Sequence, residues 1–257
     1  MRAPDPLTVA LEAARAGAEQ LLEHAHRPLE IREKGRRADI VTAADRASET
    51  AVIARLLADF PSASILAEES GSVTGTSDER WIIDPLDGTT NYAHGYPLYC
   101  ISIAYERAGE LLAGVIYAPA IEECYAAQRG CGARRGEHPI AVSTIGDVAD
   151  AMVCTGFHPA DFARNAAYFE RASNRAQAVR RDGSAALDLA FTACGRFDGF
   201  WEFDLHPWDV AAGMLIVTEA GGRVTRVDGG PAAVDARSIL ASNGFIHAQL
   251  QGVLSEG

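Results

Sequence analysis

The stretch Trp81-Ile82-Ile83-Asp84-Pro85-Leu86-Asp87-Gly88-Thr89-Thr90-Asn91 decides how the rest of the chain is read. Trp81 to Ile83 is an apolar run that predicts a buried strand, and Pro85 is expected to stop it. Asp84 and Asp87 follow, three residues apart, in a tight turn that can aim both carboxylates and the Leu86 carbonyl into one small volume. Like charges held that close repel unless a cation neutralises them. Oxygen-only ligands in a compact turn suit a hard divalent ion such as Mg2+. A helix can begin at Gly88-Thr89-Thr90, where free backbone N–H groups bind phosphate oxygens and Gly permits close approach. Metal plus phosphate is the chemistry the segment suggests. Taken by itself it could also be only a strand end, since Asp-Gly is a common turn signal.

Upstream, residues 7–25 show the spacing of an amphipathic helix (Leu7, Leu11, Ala14, Ala18, Leu21, Leu22). The polar segment from Glu33 to Asp39 reads as mobile. A second helix begins at about Asp45, turns Val52, Ile53, Leu56, Leu57 and Phe60 to one side, and ends at Pro61. Ser64 to Ala67 predicts a short strand delivering Glu68-Glu69-Ser70, and Gly71 to Glu79 a polar loop. Downstream, Leu98–Tyr105 and Leu111–Tyr117 flank a hairpin turn, and Glu123–Gln128 and His138–Val142 continue in the same style. Two helices on an antiparallel sheet are therefore expected up to about residue 146.

From about residue 147 strands and helices alternate. Strands are predicted at Met152–Gly156, Ala178–Arg180, Phe197–Trp201, Arg223–Val227 and Ile239–Ala241. Helices are predicted at Phe162–Ala172, Ser184–Cys194, Asp209–Ala220 and Phe245–Leu254. This is an α/β layer. No linker rich in Pro or Ser divides the halves, so residues 1–257 are expected to form one unit with two lobes.

Composition narrows the function. Hydrophobic content of 48% and charged content of 23% suit a globular protein, and a net charge of −12 argues against nucleic acid as main partner. No run is apolar enough for a membrane span, and Glu12, Arg15 and Glu19 interrupt any signal-peptide core. Five cysteines without a Cys-x-x-Cys pair predict reduced thiols in a cytoplasmic protein. His94, His138 and His206 lack metal-ligand spacing and read as structural.

Three other segments bring suitable groups to the central turn. Glu68-Glu69 ends one strand beside the strand that carries Asp84. Asp209, in Trp208-Asp209-Val210-Ala211-Ala212-Gly213, stands at a helix start, where an acid is also common for capping alone. Glu202 belongs to an aromatic strand (Phe200, Trp201, Phe203), and Gly183-Ser184 opens a helix. Together, Glu68-Glu69-Ser70, Trp81 through Asn91 and Trp208 through Gly222 resemble the inositol monophosphatase family of lithium-sensitive, magnesium-dependent phosphatases. The resemblance runs from about residue 7 to residue 250. A haloacid-dehalogenase phosphatase would need Asp-x-Asp-Gly-Thr, and one extra residue separates the acids here.

The resemblance implies a layered α-β-α-β-α fold (α+β in class), commonly a homodimer. It implies Glu68, Asp84, Asp87 and Asp209 as side-chain ligands of two or three Mg2+ ions, with the Leu86 carbonyl joining them. Gly88 and Thr89 would bind phosphate through backbone N–H groups, and Thr89, oriented by Asp45, would position the attacking water with Glu68. Lys34, Asp39 and Thr42 match the family's mobile loop. Gly183, Ser184, Ala185 and Glu202 match positions that contact sugar hydroxyls. The expected reaction is hydrolysis of a small polyol phosphate, first myo-inositol 1-phosphate. Histidinol phosphate, fructose 1,6-bisphosphate and adenosine 3′,5′-bisphosphate phosphatases share the fold and stay open, as does a transcription-associated binding role without catalysis.

Overall fold

The computed structural model describes residues 4–25, 32–33, 40–41, 43–157 and 162–255. Among them are seven α-helices: α1 (Pro6–His24), α2 (Ala43–Asp59), α3 (Thr89–Ala93), α4 (Phe162–Ser173), α5 (Ala185–Ala193), α6 (Pro207–Glu219) and α7 (His247–Ser255). A two-stranded ribbon joins β1 (Arg32–Glu33) and β2 (Ile40–Val41). A larger sheet is built from β3 (Ser64–Ala67), β4 (Gly71–Val73), β5 (Glu79–Asp87), β6 (Cys100–Arg107), β7 (Glu110–Ala118), β8 (Glu123–Gln128), β9 (Ala133–Arg135) and β10 (His138–Ile140). The third sheet contains β11 (Met152–Thr155), β12 (Ala178–Arg180), β13 (Gly199–Phe203), β14 (Arg223–Thr225) and β15 (Ser238–Ser242).

The period-two alternation of β5 explains the layering. Trp81 and Ile83 join a core with α1 and α2, whereas Ile82 on the opposite face joins one with α5 and α6. Both faces are covered, which is why the strand reads as an uninterrupted apolar run. Gly17 lets α1 settle closely, since a Cβ there would lie 2.7 Å from Val52 Cγ2 and 2.8 Å from Ile101 Cδ1. Beyond α5 and α6 the third sheet repeats the pattern. Cys154, Phe200 and Ala241 face the α5/α6 layer, and Val153, Trp201 and Leu240 face the core with α7. The order is thus α-β-α-β-α, as the resemblance implied.

Several local expectations need correction. The larger sheet, ordered β10-β9-β8-β7-β6-β5-β3-β4, is not purely antiparallel, because β3 runs parallel to β5. Pairing between strands separated by a loop leaves no local signal. Part of the expected Gly71–Glu79 loop is an edge strand, β4, antiparallel to β3. The third sheet, ordered β12-β11-β13-β15-β14, combines parallel and antiparallel pairs. Pro85 does not end its strand. β5 passes through it, Asp84 pairing with Ser102 and Asp87 with Cys100, so three steps on β5 answer two on β6. Pro85 sits inside that bulge, where its missing N–H breaks no ladder bond. Lys34, Asp39 and Thr42 lie outside the described residues. No described helix is long and apolar enough to cross a membrane, and all five cysteines are free.

Candidate active site

The bulge in β5 is the foundation of the site. It turns Asp84 inward, 2% exposed, with one carboxylate oxygen accepting the Leu86 N–H at 2.9 Å. The Ser48 hydroxyl of α2 donates to the Pro85 carbonyl at 2.8 Å and fixes the bulge from behind. On the parallel neighbour, Ala67 pairs with Ile83 and the Glu68 N–H donates to the Ile83 carbonyl at 3.3 Å, which sets Glu68 beside Asp84.

Two helix starts complete the group. Asp209 is the third residue of α6, and its carboxylate reaches back to accept the His206 N–H at 2.7 Å. This capping contact aims the acid. Asp87 approaches α5 from outside. One of its oxygens accepts the Ser184 hydroxyl at 2.8 Å and the Ala186 N–H at 2.7 Å.

Asp84 feels the charges of the other three acids. Burial, then the charges of Glu68, Asp87 and Asp209, hold the Asp84 carboxyl well above the ordinary carboxylate range. Asp87 rises to about 6, because burial outweighs its donors from Ala186, Ser184 and Gly88. Asp209 is pushed well up by burial and Asp87, against the opposing His206 N–H. Glu202, in β13, is raised by burial and by Asp209 and Asp87, with Arg181 opposing. Acids crowded this way want a cation, and an all-oxygen donor set fits hard divalent ions. They are more widely spread than a one-ion cage. Among the described residues, the one set of three or more His, Cys, Asp or Glu side chains with ligand atoms all within 4.8 Å of one another is Cys154, Asp182 and Asp188.

The remaining predicted residues fall around the acids in different ways. Thr89 donates its hydroxyl to the Leu86 carbonyl at 3.0 Å and reaches Asp45 at 3.3 Å. Gly88 precedes α3 with φ +89°, and a Cβ there would lie 2.9 Å from the Leu98 carbonyl, so glycine is required by both conformation and space. Gly183 also has positive φ and lies against the Asn91 side chain. Ser184 and Ala185 are buried, at 1% and 8% exposure, and Ser184 spends its hydroxyl on Asp87 rather than on the cleft. Glu202 packs over Gly156, where a Cβ would lie 2.3 Å from its Oε2. Of the histidines read as structural, His206 stacks on Trp208, 4.8 Å between ring centres.

Apart from Asp45, the residues that support the site carry no motif of their own. Asn91 donates its side-chain N–H groups to the carbonyls of Leu98 at 2.6 Å and Asp182 at 2.8 Å, joining the loop beyond β5 to the entry of α5. Glu49 accepts the Glu69 N–H at 2.9 Å. Asp45, Ser48, Glu49, Val52 and Leu56 are all buried on α2, so its apolar stripe continues upward as a polar one. That spacing was a usable signal.

Residues 4–256 match the sequence profile of the inositol monophosphatase family. An inositol-1-monophosphatase of Synechocystis sp. is 41% identical over 254 residues, covering 97% of this chain and 88% of the relative. A fructose-1,6-bisphosphatase/inositol-1-monophosphatase of Thermotoga maritima is 36% identical over 252 residues, covering 98% of this chain and 96% of the relative. The crystal structure of the extragenic suppressor protein suhB of Bartonella henselae superposes with a TM-score of 0.93 at 38% identity, covering 97% of this chain and 98% of that one. The chain therefore belongs to the inositol monophosphatase family and is a phosphoric monoester hydrolase.

Proposed function

We propose that the chain hydrolyses a small polyol monophosphate, myo-inositol 1-phosphate before others, with Mg2+ held by Glu68, Asp84, Asp87, Asp209 and the Leu86 carbonyl. One observation carries this reading: four carboxylates from two strands and a helix start press their charges on one another around a bulge. When bound, divalent ions supply positive charge for the phosphate oxygens and lower the pKa of water beside them. The chain's own groups supply the rest. The Thr89 hydroxyl is held by Asp45 and the Leu86 carbonyl, so its oxygen is oriented to accept from a water that Glu68 can deprotonate. Thr89 offers its backbone N–H to phosphate, and the Gly88 N–H, which meets Asp87 in the metal-free chain, joins it once Asp87 turns to a cation. Ser184 and Ala186 hold Asp87 in place, so their share in substrate binding is indirect. Glu202 faces the acids and can accept hydrogen bonds from two neighbouring hydroxyls of a ring.

The test is phosphate release from myo-inositol 1-phosphate, histidinol phosphate, fructose 1,6-bisphosphate and adenosine 3′,5′-bisphosphate, with Mg2+ and with excess chelator. Fastest turnover of the inositol ester, abolished by chelator, is expected. Full activity in chelator would overturn the metal assignment, and preference for a bisphosphate would overturn the substrate. The same reading carries a homodimer and inhibition by lithium, checked by light scattering and by titrating LiCl into the assay.

A further inference from the structure

Behind the start of α5 lies a second group of ligand-type side chains. Cys154, in β11, is fully buried, and Asp188, in the first turn of α5, is 1% exposed. Asp182, just before the helix, is half-buried and opens the group toward solvent. The Cys154 Sγ and one carboxylate oxygen from each acid lie within 4.8 Å of one another.

Apart from the Cys154 thiol beside it, Asp188 has no hydrogen-bond partner for either carboxylate oxygen. The surroundings offer little else, since Ala185, Ala186, Leu187, Leu189 and Ala190 are all buried around it. A carboxyl sealed from water with no donor but a thiol is costly in either protonation state. Neither nearby arginine reaches Asp188, although the Arg180 charge favours the ionised form of Asp182. Arg181 donates to the Phe157 carbonyl and lies over the Phe157 ring, while Arg180 donates to the Val179 carbonyl at the exposed side. An acid with no other partner, aimed at a thiol and a second acid, is what a cation site looks like without its ion.

We propose that Cys154, Asp182 and Asp188 form a second divalent-cation site, of the zinc class, distinct from the acids around the β5 bulge. The donor set decides the class. One thiolate with two carboxylates suits a borderline ion such as Zn2+, with water in the fourth position, whereas Mg2+ shuns sulfur. Binding expels the thiol proton to solvent, so affinity rises with pH. An ion here would also brace the turn from which the Asp182 carbonyl receives Asn91 and Ser184 and Ala186 hold Asp87.

The experiment uses the full chain carrying Cys131→Ser, which removes the exposed thiol, stripped of metal and titrated with Co2+ as spectroscopic probe. A sulfur-to-cobalt charge-transfer absorption is expected, displaced by Zn2+ and not by excess Mg2+. Cys154→Ser should abolish it, Asp188→Asn should weaken it, and Asp84→Asn should leave it in place. Absence of the band before any change at Cys154, or its survival in Cys154→Ser, would overturn the site. If Cys154→Ser fails to fold by circular dichroism, an unweakened band in Asp188→Asn overturns it instead. The readout does not depend on turnover, so this site and the phosphatase reading fail separately.

Discussion

Two acids meet the same helix and end differently. Asp87 comes to the start of α5 from outside and collects the Ser184 hydroxyl and the Ala186 N–H. Asp188 belongs to the first turn of α5 and collects no backbone N–H, its own being spent on the Ser184 carbonyl at 3.0 Å, so the Cys154 thiol is all that it meets. Burial pushes both carboxyls up, Asp87 only to about 6 and Asp188 well beyond the ordinary range. Burial alone does not set the charge of an acid. What matters is whether the unspent N–H groups at a helix start can reach it. The group around Asp84 gathers several acids that repel one another, whereas Asp188 has only a thiol and one further acid beside it.

The largest break in that contrast is Asp84→Asn. Losing charge at the bulge should cut hydrolysis on the order of a thousandfold or more, the equivalent of several kcal/mol of transition-state stabilisation. The metal-free protein should melt higher, because one buried repulsion is gone. An equal loss of hydrolysis in Asp188→Asn would erase the distinction between the two groups.

The pH dependence of stability sharpens it next. Asp87 has a folded pKa raised to about 6, so its contribution is present below the unfolded value near 4 and is lost as pH rises through 6. His247 acts in the opposite sense. Buried between Ser242 and Thr225, it has its pKa lowered to about 4 by burial and by Arg223, so it stabilises above 6.5 and ceases to as pH falls through 4. Metal-free Asp87→Asn should therefore gain stability more steeply than the parent between pH 4 and 6, by at most about 3 kcal/mol. Identical melting curves across that range would refute the assignment.

Glu202→Gln should weaken polyol monophosphates by about 1–3 kcal/mol, read as a loss of about 5- to 150-fold in kcat/KM. Glycerol 2-phosphate should lose less. Equal slowing of both would move Glu202 from the substrate wall to the metal group. The smallest effect belongs to Ser184→Ala, which removes one of the two α5 donors to Asp87 and the cap of α5. It should cost about 1 kcal/mol in urea unfolding and steepen the fall in stability toward pH 6. An unchanged urea midpoint would mean that Ala186 alone suffices.

Most of the layering was legible because strands buried on both faces and helices with one apolar stripe have different periods. The acids at Glu68, Asp84, Asp87 and Asp209 stood out for their place at element ends. The bulge at Pro85 was not legible, since a proline that ends a strand and one that sits in a bulge look alike in sequence. Nor was the parallel pairing of β3 with β5. Asp188 was visible as a single acid inside Ala185-Ala186-Leu187-Asp188-Leu189-Ala190-Phe191, yet nothing local says that Cys154 lies opposite. That requires the third sheet to be in place.

The Asn91 side chain makes a temporal claim about the molecule. Its amide bonds residue 98 on one side and, on the other, residue 182, which lies 91 positions beyond Asn91, so the loop after α3 is stitched to the entry of α5. On the proposed reading, hydrolysis needs both sheets docked through α5 and α6. During refolding from urea, far-ultraviolet dichroism should recover before hydrolysis does, and shortening the stitch with Asn91→Ala should lengthen that delay. Simultaneous recovery in both proteins would show that the two halves assemble as one.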